Sequence, residues 1–127
     1  MPTARERTVD HGVIRALAWV SANLHTRRIY TGYGLTLGAV YAPECISEGQ
    51  LDRVMRNEIR RVTLHHLLKA ANPETPGIDN LSWPELRDQL AGSERLLSLW
   101  RIREIVQAAI TQANQPARQH RQTTVAA

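Results

Sequence analysis

The sequence predicts a mainly α-helical domain: four helices, with a glycine- and tyrosine-rich hairpin or extended insertion between the first and the second. Three observations predict it. Apolar residues recur three and four apart over long stretches, the period of a single buried helix face. Two segments, "ISEGQL" and "LSWPEL", carry a serine three residues before Gln50 or Glu85, with apolar residues flanking the pair. That is the pattern of a capping box with its hydrophobic staple, which satisfies the free N–H groups of a helix start. Finally, 127 residues at 43% hydrophobic and 22% charged suit one globular domain with a core of its own.

Residues 1–7 read as a flexible N-terminal arm, 8–115 as the helical domain and 116–127 as a disordered basic tail, because "NQPARQHRQTTVAA" has no apolar period. Helix A is expected over about Val9 to His25, where Val13, Leu17, Val20 and Leu24 make one stripe. Helix B, over Glu48 to Ala71, has two halves. Leu51, Met55, Ile59, Val62 and His66 share a face, with Arg53, Arg56, Arg60 and Arg61 opposite. Leu64, Leu67 and Leu68 then project where the arginines projected earlier, at about 100° per residue. Either this end enters the core or it offers a contact patch.

Helix C is expected over Trp83 to Ala91, with Ser82 as cap and Gly92 as stop. Helix D runs from Ser93 or Glu94 to Ala113 on a stripe of Leu96, Leu99, Val106, Ile110 and Ala113, with Leu97 and Trp100 extending it. C and D are expected to pack antiparallel with B across them. The wide apolar stripes on B and D predict a homodimer.

The uncharged insertion "IYTGYGLTLGAVYAP" admits two structures. Leu35, Leu37, Ala39 and Tyr41 alternate with Thr36, Gly38 and Val40, as in a strand. A short buried helix after a turn at Gly32–Gly34 is the alternative. Its glycines miss the spacing of a dinucleotide fingerprint, and the chain has no P-loop lysine there. Tyr33 falls at the tip of the turn, where it is the exposed tyrosine.

Nothing spells a reaction. Cys45 is the only cysteine, so no internal disulfide and no cysteine-pair zinc site can form. It precedes helix B, where a thiolate is favoured, but no histidine is fixed beside it. His65 and His66 are adjacent on a helix and about 100° apart, not the i, i+4 pair a zinc ion takes. No catalytic residue, cofactor or metal is expected. The segment from Trp83 to Ile105 mimics a helix-turn-helix, but Arg87, Asp88 and Ser98 occupy places where small or apolar residues should pack.

Function is therefore read as binding. The first expectation is a protein-interaction module, such as an inhibitor or adaptor, docking through Tyr33, Leu64, Leu67 and Leu68. The alternative is nucleic-acid binding through Arg5, Arg7, Arg53, Arg56, Arg60 and Arg61, in keeping with a net charge of +4 and a pI near 10.0. Lys69 is the only lysine among sixteen basic residues, a bias that GC-rich bacterial coding also produces. No signal peptide or membrane span is read, and a cytoplasmic protein is expected.

Overall fold

Each of the four long described helices begins where a short polar side chain takes up a free N–H. In the computed structural model, residues 3–24, 35–36, 38–40, 42, 52–94 and 98–115 are described. Helix α1 spans Ala4–Ala22, because Thr3 is extended and its Oγ1 accepts the Glu6 N–H at 3.1 Å. The start lies well ahead of Val9, so Arg5 and Arg7 belong to a helix rather than to an arm. Its C-terminus is closed by Asn23, whose Nδ2 donates to the Trp19 carbonyl at 2.8 Å.

Helix α2 spans Arg53–Ala71. Asp52 has an extended backbone and accepts the Met55 N–H at 2.7 Å, so no helix runs unbroken from Glu48 through this point. The expected Ser47–Gln50 cap lies outside the described residues. A single 3₁₀ turn, Ile78–Asn80, follows Gly77, whose φ of 67° suits a residue without a Cβ.

Helix α3, Trp83–Glu94, starts with the expected box: Glu85 Oε1 accepts from Ser82 N at 3.1 Å, and Ser82 Oγ accepts from Glu85 N at 3.4 Å. It does not stop at Gly92 but passes through it with no left-handed turn. Helix α4, Leu99–Ala113, starts later than Glu94 because Ser98 is extended and caps the Arg101 N–H at 3.2 Å.

Helix α2 is the hub, with α1, α3 and α4 all packed on it and α1 also touching α4. Contrary to expectation, α3 and α4 share no substantial contact among the described residues; each uses its apolar face on α2. Arg5 touches Asp52, and Gly12 lies under Ile59 at the same sequence spacing. Helices α1 and α2 thus run side by side in the same direction. The end of α1 and the start of α2 therefore lie about the length of the 19-residue α1 apart, about 28 Å.

That geometry bears on the insertion. Its described residues, Leu35, Thr36, Gly38, Ala39, Val40 and Ala42, are helical, and all but Val40 are buried. None is in a strand, so among the described residues the extended form gives way to the buried helical alternative. A lone hairpin would leave backbone groups to be satisfied elsewhere, whereas a helical crossover satisfies its own. Leu35 and Ala39 join Val13, Leu17, Val20, Ile59, Leu64, Leu67, Leu86, Leu90, Ile105 and Val106 in one core.

Candidate functional site

The leucines expected to meet a partner are inside the molecule. Leu64, Leu67 and Leu68 are buried to 1% exposure or less, in the cluster that joins α2 to its neighbours. They hold the fold and leave no face for docking, which removes them as contact residues. The same burial accounts for the apolar stripe on α2, and Ile105, Val106 and Ala109 account for the core side of α4. The stripes that suggest a homodimer are used within the chain. Tyr33 and Cys45 lie outside the described residues.

The arginines divide into engaged and open ones. Arg60 is on the side of α2 that receives other elements. Its Nε donates to the Val40 carbonyl at 3.1 Å and its Nη1 to Asn57 Oδ1 at 3.0 Å. Its guanidinium also sits 5.6 Å from the centre of the Trp83 ring, with that of Arg87 at 5.4 Å. Arg60 therefore ties the 35–42 segment and α3 to α2, and is not available to a phosphate. Arg61 forks onto Glu58, with contacts of 2.6 and 3.1 Å. The fork holds the Glu58 carboxyl below its ordinary range and the guanidinium above its own. Arg5 pairs with Asp52 at 3.2 Å across the starts of α1 and α2. Asp52 is held low first by the Met55 N–H and then by the charge of Arg5. The side chains of Arg7, Arg53 and Arg56 have no ion pair or hydrogen bond among the described residues, and Arg7 and Arg53 are exposed.

The two histidines separate as their helix positions require, with ring centroids 6.1 Å apart and planes at 78°. His65 Nε2 lies 2.8 Å from Asp79 Oδ1, a contact that lowers the Asp79 pKa. His66 is half-buried and its Nδ1 lies 3.3 Å from Gln112 Oε1 near the end of α4. Burial pushes the His66 pKa down, more than the Gln112 contact pushes it up.

Two apolar residues stand out in solvent. Trp100 is 72% exposed and Val54 is 68% exposed, each in the first turn of its helix. The sequence stripe places Trp100 on the buried side, and the structure corrects it. With α4 starting at Ser98, Trp100 falls about 180° from Ala109 and about 140° from Ile105, both buried, at about 100° per residue. That angular test, applied to the sequence, would have found it. No protein-family model, curated protein or solved structure matches this chain. No described helix is long and apolar enough to cross a membrane.

Proposed function

We propose that this chain is a non-enzymatic interaction module that presents Trp100 to a partner protein. The exposure of Trp100 is the observation that carries the reading. An indole on the outer face of a helix leaves a large apolar surface in water, and tryptophan is among the residues most concentrated at the energetic anchors of interfaces. Arg103 and Glu104, three and four residues on, are both exposed and give the ring the polar rim such an anchor has. Trp100 takes the role that the sequence pattern assigns to the α2 leucines.

The test is site-directed cross-linking from position 100, with Gln107, two turns further along the same face of α4, as the control position. A partner trapped from 100 and not from 107 is then titrated against the Trp100→Ala variant. An anchor loses about 2 kcal/mol or more on truncation, roughly thirtyfold in affinity. Equal affinity for both forms of the chain ends the reading.

The open arginines favour a second reading, nucleic-acid binding. Arg7 and Arg53 are exposed and lack a counter-ion among the described residues, and Arg56 is half-exposed and equally unpaired. Generic duplex DNA titrated at two salt concentrations tests it. Affinity that does not change with salt ends that reading.

A further inference from the structure

The outer face of α1 carries Arg7, His11 and Arg15, one turn apart and all exposed. Each step is about 6 Å along the axis, and the three lie within an arc of about 80°. None of the three side chains has an ion pair or hydrogen bond among the described residues. The exposed Ala18 and Ala22 continue the line with side chains too small to obstruct a flat approach. Glu6 lies about 100° and Asp10 about 60° from Arg7, both to the same side of it.

No described element packs on this arrangement. A cation such as Arg7 in the first turns of a helix opposes the helix dipole. The face points away from Gly12, Val13, Ala16, Leu17 and Val20, which are the buried positions of α1. Two exposed arginines without ion pairs among the described residues, on an open face, complement an external line of negative charge.

We infer that the outer face of α1 is the strip along which a nucleic-acid phosphate backbone lies, with Arg7 and Arg15 as its phosphate contacts and His11 between them. The inference rests on the nucleic-acid reading above and relocates it, from the α2 arginine row to α1. Arg60 and Arg61 have no part in it. His11 contributes an imidazole N–H donor between Arg7 and Arg15.

The experiment is fluorescence anisotropy of the full chain with a labelled random-sequence duplex between about 50 mM and 200 mM salt. Each phosphate contact contributes about 3.5-fold to the affinity lost over that fourfold range. The Arg7→Ala/Arg15→Ala variant should therefore show a salt-dependent loss about twelvefold smaller than the wild type, and weaker binding at the low-salt end. His11→Arg should steepen the dependence by about 3.5-fold. Both variants change exposed residues with unpaired side chains, and unchanged circular dichroism checks their folding.

If the double variant keeps the wild-type salt dependence while Arg53→Ala/Arg56→Ala loses it, the α1 strip is wrong and nucleic-acid binding stands. If the wild type binds no duplex, both fall. Binding to vesicles containing about 30% phosphatidylserine in preference to duplex identifies a lipid surface and overturns the inference.

Discussion

Replacing Gly12 by alanine should destabilise this protein, although the same change in most helices does the reverse. Alanine is favoured over glycine inside a helix by about 0.8–1.0 kcal/mol. At position 12, however, an added Cβ meets Ile59 across the α1–α2 interface. It would lie 2.9 Å from Ile59 Cγ1 and 3.4 Å from Cγ2, and closer still to Cδ1. Carbon atoms rest about 3.5–4.0 Å apart, so Ile59 would have to withdraw by roughly 1 Å. Ile59 is wholly buried and β-branched, with one preferred χ1 in a helix. Overpacking of this kind costs about 1–3 kcal/mol, against which the propensity gain leaves a net loss of up to about 2 kcal/mol. For a chain of 127 residues that lowers the melting temperature by up to about 8 °C.

Gly92 supplies the internal control. It is exposed within α3, and an added Cβ there has nothing within 4 Å. Gly92→Ala should raise the melting temperature by about 2–4 °C. The cycle closes with Ile59→Val, which alone costs about 0.5–1.5 kcal/mol. Combined with Gly12→Ala, it removes Cδ1, the closest clashing atom, and should cost less than the sum of the two single changes, a coupling of about 1 kcal/mol. Calorimetry of the wild type, the two single variants and the double variant measures it. A Gly12→Ala chain as stable as Gly92→Ala would refute the close approach of α1 to α2.

Other perturbations follow from single contacts. Thr63 is wholly buried and its hydroxyl has no hydrogen-bond partner among the described residues, so Thr63→Val should stabilise by about 1 kcal/mol in urea unfolding. Asp52→Ala removes the α2 cap and the Arg5 pair together and should lower the urea midpoint, chiefly through the lost cap. The lowered His66 pKa means that the unfolded chain binds a proton first as pH falls through the ordinary histidine range near 6.5. The stability tied to this group is then fully present above that range and declines below it. His66→Gln should flatten the fall in urea midpoint between about pH 7.5 and about pH 5.5. Leu67→Asp should unfold the chain instead of merely abolishing docking, seen as loss of helical dichroism, because an unpaired carboxylate would enter the core.

Periodicity made the helices legible, and the serine box made the start of α3 legible to the residue. The other starts were less visible because two of the three caps, Asp52 and Ser98, lack a Glu or Gln at the third helical position. Met55 and Arg101 stand there, and a single-sided cap leaves half the signal. Thr3 does have Glu6 at that position, but no apolar stripe begins until Val9, so the polar first turns of α1 read as an arm. Trp100 was misplaced because it was grouped with its neighbours Leu96, Leu97 and Leu99 and not referred to Ile105 and Ala109, from which it lies about 140° and 180° around the helix.

The site was harder to read because a helix wheel gives faces and not neighbours. On α2, Arg60 and Leu67 share a side, and the wheel says only that one half of that side is charged. Topology decides what the charge meets. Since α1 and α2 are parallel, the connection between them cannot be a short turn, and it brings the 35–42 segment to α2 at Arg60. The Val40 carbonyl and the Trp83 ring then turn an apparent phosphate contact into an internal tie. The same topology leaves the far side of α1 without cover from the described elements, which is why Arg7, His11 and Arg15 remain in solvent while the more conspicuous row is drawn into the structure.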